Sequence, residues 1–228
     1  MARPRSDIQP RIVSAARARF LESGVDGASL RTIAHDAGTN VGMVFYYFPN
    51  KDDLFLAVIE EVYAKLLDDL SSALAGDAPV RDRLERVFAR MGRASAEELE
   101  VIRLVVREAL LSSERFGRVF TRMQRGHVGM ILTTLAEGIA RGEIDESIPP
   151  PVLLLSCLGL GALPQLVRRA AGDRAPFDVL PGPEALAHET TELLFRAIGK
   201  AIGTGKATRA PKPSRRRGKS RARSTRAP

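Results

Sequence analysis

A chain of 228 residues that is 44% hydrophobic can fill a core, which excludes a protein disordered throughout and leaves room for one mid-sized domain or a small one joined to a larger. Its single cysteine, Cys157, excludes an intramolecular disulfide, and its N-terminus lacks the apolar stretch of a signal peptide, so a soluble cytoplasmic protein is expected. The net charge of +8 gathers at the ends, with eleven basic and no acidic residues from Lys200 onward, +3 over residues 1–51 and −6 over 52–199, a distribution suited to attracting phosphate.

Ser6 or Asp7 can cap a first helix, Ser6 with Gln9 as a capping box, and Pro10 is tolerated in its first turn. Ile8, Ile12, Ala15, Ala16 and Phe20 recur along one face, with Arg11, Arg17 and Arg19 off it. Gly24 closes this helix, and Asp26-Gly27 turns the chain into Ser29. Ser29 can cap a short second helix whose apolar face is Leu30, Ile33, Ala34 and Ala37. Gly38 ends it, because only glycine takes a left-handed position there without a Cβ penalty. Asn40 then caps a third helix that turns Val41, Val44 and Phe48 inward.

Ala34, Gly38 and Val44 have helix-turn-helix spacing: a small residue for close approach, a glycine for the turn, a branched residue to lock the second helix down. The outward face offers Gly42, Met43, Tyr46, Tyr47 and part of Phe45. Four aromatics from Phe45 to Phe48 cannot all face inward on a helix of about 3.6 residues per turn. Such a helix suits a DNA major groove, with Lys51 placed to meet a phosphate. The alternative is a buried helical hairpin with core tyrosines.

Residues 29–51 resemble the DNA-binding end of the tetracycline-repressor (TetR) family, whose pattern runs Ile-Ala, Ala-Gly, a capping residue, Gly, Leu-Tyr-x-His-Phe, then Lys. Ile33-Ala34, Ala37-Gly38, Asn40, Gly42, Val44-Phe45, Phe48 and Lys51 fall on it in register. Phe45 stands where the family usually has tyrosine, which removes one hydroxyl from reach of phosphate, and Tyr47 stands where it usually has histidine. The resemblance spans roughly the first 50 residues. It implies a DNA-binding domain over residues 1–51, with Ser29, Arg31, Thr39, Val41, Gly42, Met43, Phe45, Tyr46, Tyr47 and Lys51 facing DNA.

Asn50 with Asp53 starts a fourth helix that runs to about Ala75. Leu54, Val58, Val62, Leu66 and Leu70 form one ridge, with Phe55, Ile59, Tyr63 and Leu67 beside it, so this helix should bridge the DNA-binding unit and the rest. After Gly76-Asp77-Ala78-Pro79, a fifth helix carries Val80, Leu84, Val87, Phe88 and Met91, and a sixth Leu99, Ile102, Val105, Val106, Ala109 and Leu110. A long seventh runs from about Glu114 to Arg141. An eighth, Val152 to about Ala171, should kink at Pro164 and allow close packing at Gly159, Gly161 and Ala162. A ninth carries Leu186, Thr190, Leu193, Leu194, Ala197 and Ile198. No β pattern stands out. The chain reads as all-α, with about nine helices: a three-helix DNA-binding unit, a larger helical domain over 52–203, and a disordered basic tail over 204–228.

In TetR-like proteins the helical C-terminal domain encloses a small-molecule site, and the last two helices pair into a four-helix dimer interface. The resemblance therefore implies a homodimer through about 152–171 and 184–202, a palindromic operator in double-stranded DNA, and an unidentified small-molecule effector that releases a repressor. Effector-pocket candidates are Phe88, Met91, Arg107, Phe116, Phe120, Met123, His127 and Cys157. Phe116, Phe120, Met123, His127 and Met130 form one stripe of the seventh helix, with His127 as polar handle; the same stripe also suits a bundle core with one satisfied histidine. Cys157 reads most simply as a small core residue.

His35, His127 and His188 lack metal-ligand spacing, and no nucleophile elbow, phosphate-binding glycine loop or paired carboxylates stand out; no enzyme, metal or cofactor is expected. The longest apolar run, Val152 to Leu163, is about half the ~20 residues of a membrane span, so no membrane partner is expected. The competing function is a non-specific architectural DNA-binding protein working through its basic tail.

Overall fold

The computed structural model describes residues 7–200; Ser6, the end of the last predicted helix and the basic tail lie outside the described residues. Polar caps set where the first helices begin. Helix α1 (Ile8–Gly27) has Asp7 at its N-cap position, but that side chain accepts no capping bond, and the helix breaks at Gly24, which takes φ 78°. Ser29 accepts from the Thr32 N–H at 3.5 Å to begin α2 (Leu30–Asp36). Asn40 accepts from the Met43 N–H at 3.0 Å to begin α3 (Val41–Tyr47), and Asn50 from the Asp53 N–H at 2.8 Å to begin α4 (Lys51–Leu74). Each cap satisfies a backbone donor that the helix itself cannot.

Seven more α-helices follow: α5 (Val80–Gly92), α6 (Ala96–Leu111), α7 (Ser113–Gln124), α8 (His127–Ala140), α9 (Pro150–Ser156), α10 (Leu163–Ala171) and α11 (Pro183–Ile198). The Ser95–Glu98 capping box opens α6. Between α9 and α10 lies a π-helical turn, Cys157–Ala162, and Phe177–Val179 is a short 3₁₀ turn.

The apolar core forms two clusters that divide along α4 rather than at residue 51. The first joins α1–α3 and the N-terminal half of α4 to Val101 and Leu104 of α6 and Val119 of α7. The second joins Leu70 and Leu74 of α4 to α5, Leu135, Leu153, Cys157 and α11. Helix α4 is thus continuous with both.

Four predicted elements are corrected. The long seventh helix is two, because the chain turns at Arg125-Gly126. Gly126 lies so close to Tyr63 that a Cβ there would overlap the Tyr63 hydroxyl, which accepts from the His127 N–H at 3.0 Å. A tertiary hydrogen bond, invisible to periodicity, starts α8. The expected kink at Pro164 is met by the π-helical turn just before it: proline lacks an N–H and collides with the preceding turn, and a wider turn makes room. On α6 the buried face is Glu98, Leu99, Val101, Leu104 and Glu108, whereas Val106 and Leu110, expected inside, are exposed. Finally, α11 ends at Ile198, where Gly199 forms an isolated antiparallel bridge to Ile144. No strand occurs among the described residues.

Helix Pro150–Ala171 is longer than its apolar run and, by length and composition alone, could cross a membrane; its mean hydropathy is 1.6, with 22% of the window buried. Its buried side packs on α5 and α11, Gly161 against the Phe88 ring, while Gly159 faces open space.

Candidate nucleic-acid interface

The turn between α2 and α3 has the two bonds of a Schellman cap. Thr39 N–H donates to Ala34 O and Gly38 N–H to His35 O, each at 2.9 Å, with Gly38 at φ 62°. The Arg11 guanidinium donates to Ala37 O, tying this turn to α1. Val44 and Phe48 are buried beneath α3, so Gly42, Phe45 and Tyr46, at i, i+3 and i+4, share the outward face. Phe45 is 51% and Tyr46 77% exposed. Tyr47 is half-buried, its ring meeting Tyr46 edge-on at 5.1 Å and Phe48 at 6.4 Å. Ser29 and Arg31 are exposed; Thr39, Val41 and Met43 are half-buried, Val41 against the first core cluster.

Lys51 departs from expectation. Its Nζ donates to Val25 O at 3.1 Å and Asp26 O at 2.8 Å, tying the end of α1 to the start of α4. One of an ammonium's three donors then remains for a phosphate.

Sequence reasoning missed the cluster of charges directly behind this unit. Arg115 of α7 donates to Asp52 Oδ1 at 2.8 Å, to Glu108 Oε2 at 2.9 Å, and with both terminal nitrogens to the Asp26 carboxylate, one of those bonds at 3.0 Å. Asp26, ahead of Asp52, holds the guanidinium above the ordinary arginine range, although burial opposes it; in return Arg115 holds the Asp26 carboxyl below its usual range. Glu108 is 2% exposed, and its other oxygen accepts from the Val25 N–H at 3.2 Å. Arg107 donates to the carbonyls of Phe20 and Leu21. Further along, Arg118 meets Asp53 at 3.6 Å and Arg122 binds Glu60, so basic α7 lies along acidic α4. That match was legible: Asp52 and Glu60 lie about two helical turns apart, as do Arg115 and Arg122.

Residues 12–58 match the family described as bacterial regulatory proteins, tetR family. The N-terminal part of the chain is a TetR-type DNA-binding domain. The chain is 29% identical over 177 residues to a helix-turn-helix-type transcriptional repressor of Streptomyces coelicolor, covering 75% of this chain and 87% of that protein. It is 22% identical over 187 residues to the fatty acid metabolism regulator protein of Bacillus subtilis, covering 82% of this chain and 93% of that protein. Among solved structures, FadR from Bacillus subtilis in complex with stearoyl-CoA superposes with a TM-score of 0.61 at 20% identity, covering 82% of this chain and 97% of that one, which is a likeness of fold.

The eight residues expected around an effector lie in different parts of the fold. Phe88 and Cys157 are core residues of the second cluster, and burial pushes the Cys157 thiol up to about 12. Met91 is half-buried on α5, and Met123 packs against the first cluster. Arg107 is committed to the α1 carbonyls. Phe116 and Phe120 stack on each other at 5.7 Å, 52% and 37% exposed, because α7 turns Arg115 and Val119 inward instead. His127 is partly buried at the start of α8. Its Nδ1 shares a hydrogen bond with the Tyr63 hydroxyl at 2.6 Å, and burial, then the Arg122 charge, lowers its pKa to about 4, so the ring is neutral.

The open clefts among the described residues include two that border α4. One, about 720 Å³, lies over α4 and α5 and is lined by ion-paired side chains that include Asp69, Arg90, Arg93 and Glu184. The other, about 450 Å³, lies between the end of α4 and the α7–α8 turn, lined by Leu74, Gly126, Gly129, Met130 and Thr134 with Arg83 and Glu137. Neither is lined by any of the eight expected residues.

Proposed function

We propose that this regulator is a homodimeric repressor that reads a palindromic operator with α3 and leaves it when a small-molecule effector binds. The outward face of α3 carries this reading, because two neighbouring aromatic rings stand largely in water on a helix anchored firmly from behind. On this reading residues 1–51 are the DNA-binding domain. Gly42 lets backbone approach the groove, and Phe45, Tyr46 and Met43 meet base edges and thymine methyls. Val41 and Tyr47 flank them, while Ser29, Arg31, Thr39 and the remaining Lys51 donor meet phosphates.

Residues 52–203 would then form the effector and dimerisation domain. Val152, Leu155, Leu158 and Leu163 on the α9–α10 rod and Leu193 on α11 are 48–65% exposed in the single chain, an apolar face that a second copy would cover. A two-fold dimer through that face places the two α3 helices on half-sites about one helical turn, ~34 Å, or more apart.

For the effector, the 450 Å³ cleft falls within the ~300–1,000 Å³ of small-molecule sites, and it touches α4, whose other end carries the DNA-binding unit. A ligand there lowers operator affinity by as much as it prefers the conformation with misplaced α3 helices, and no more. FadR's complex with stearoyl-CoA makes an acyl thioester the first ligand class to try.

The test is selection of bound duplexes from a random pool by the full-length chain, followed by competition with bulk DNA in moderate salt, with and without stearoyl-CoA. A palindromic consensus whose affinity drops with ligand supports the reading. Absence of preference for any duplex refutes it, and a consensus indifferent to stearoyl-CoA removes that ligand class. Removing residues 204–228 should flatten the salt dependence and keep the consensus; loss of all binding would favour the architectural alternative.

A further inference from the structure

The DNA-binding unit is held to the body in two ways. Apolar contacts of α1 with α4 and α6 attract without setting a direction. Apart from the Arg17–Glu97 pair between α1 and α6, the polar contacts gather on one short segment, from Phe20 to Asp26, where α1 breaks at Gly24. Arg107 holds the Phe20 and Leu21 carbonyls, Glu108 the Val25 N–H, Lys51 the Val25 and Asp26 carbonyls, and Arg115 the Asp26 carboxylate.

Of these, Arg115 spans the most elements. Its guanidinium touches the end of α1, the start of α4 and the last turns of α6 at once, and its side chain is 11% exposed. A planar fork that binds three carboxylates from fixed directions specifies an orientation, which neither a lysine nor an apolar contact does. Glu108, buried at 2% exposure, would keep only Arg107, at 3.4 Å, as a counter-charge if the fork moved away, so the arrangement resists gradual drift.

We propose that Arg115 is a positioning residue for operator reading: by joining Asp26, Asp52 and Glu108 it fixes the tilt of the DNA-binding unit against the body, and so sets the half-site separation that the dimer accepts. This rests on α3 reading DNA in a dimer. It adds that spacing, as distinct from half-site sequence, is decided by a residue that never touches DNA. Arg115 sits on the first turns of α7, whose far end borders the 450 Å³ cleft at Arg125, so a shift of α7 would act on this joint directly.

The experiment measures the full-length dimer on duplexes carrying the selected half-sites at separations from two base pairs shorter to two longer, and on a duplex with a single half-site. Asp26→Asn is the main variant, since that side chain is 82% exposed and the fold does not depend on its burial. Asp26→Asn/Asp52→Asn and Arg115→Lys follow. The expected result is that the margin of the best separation over its neighbours falls about three- to fivefold for each joint, the scale of one ion pair of this exposure. For Asp26→Asn, single half-site affinity and thermal midpoint should stay at the parent's values. Arg19→Gln, which breaks the Arg19–Asp36 pair inside the DNA-binding unit, should leave the margin unchanged.

An unchanged margin in Asp26→Asn overturns the proposal, and so does a parallel loss of single half-site affinity, which would make the cluster merely structural. A parent chain that prefers no duplex at all fails earlier, at the reading of α3, before any variant is compared.

Discussion

Replacing Tyr46 with alanine separates fold from recognition at a single side chain. Tyr46 is 77% exposed, and its described ring contact is the edge of Tyr47 at 5.1 Å. Losing such a contact costs about 0.5–1.5 kcal/mol. Alanine's better helix propensity returns up to about 0.7 kcal/mol. The fold should therefore change by less than about 1 kcal/mol, a shift of no more than ~2–4 °C in a chain of this size. Recognition should change far more. A base-edge contact is worth about 1–3 kcal/mol per α3, and a dimer loses it twice, so operator affinity should fall by ~2–6 kcal/mol, from roughly 30-fold to about four orders of magnitude. Because an aromatic ring displaces no counterion, the salt slope should keep the parent's value. Fluorescence anisotropy on the selected operator over a salt series, beside thermal melting by circular dichroism, measures both quantities. Affinity within twofold of the parent with an unchanged melt would refute a DNA-facing Tyr46. A steep loss of melting temperature would instead return the ring to the core.

Gly161→Ala should destabilise by about 1–3 kcal/mol, because the new methyl meets the buried Phe88 ring, while Gly159→Ala, with open space around it, should not; urea midpoints for the pair test that packing. His127 is held at about 4 in the folded state, below the ~6.5 of an unfolded histidine, so the unfolded chain binds the extra proton between those values. Its contribution is accordingly complete above pH ~6.5 and declines as pH falls towards 4, by about 2 kcal/mol from pH 7 to 5; urea unfolding at the two pH values should show a slope in the parent that His127→Gln lacks. Leu158→Glu places a charge on a side chain 56% exposed in the single chain, so it should convert dimer to monomer in analytical ultracentrifugation without loss of helicity; an intact dimer would move the interface elsewhere.

Local rules made the DNA-binding unit legible. Ser29, Asn40 and Asn50 cap because a side-chain oxygen beside an orphaned N–H needs no distant partner, and Gly38 turns the chain because its φ of 62° excludes most side chains. Four aromatics in sequence also guaranteed an exposed ring on any helix, and Phe45 and Tyr46 are those rings.

The body was less legible wherever polar groups decide what faces inward. Hydrophobic periodicity chose the Val106–Leu110 side of α6, whereas the buried side carries Glu98 and Glu108, whose desolvation is offset by Arg90 and Arg115 from other helices. The same blindness placed Phe116 and Phe120 inside a pocket, although α7 lies against α4 through arginines. It also ran one helix through Gly126, where the hydroxyl of Tyr63, more than sixty positions away, starts a new one. The sequence by itself determined where α2, α3 and α4 begin and where the helix-turn-helix lies, because those follow from neighbours within one turn. Which faces are buried, and how the reading unit is joined to the body, only the tertiary structure decided, since a charge can be buried only where a distant opposite charge arrives to meet it.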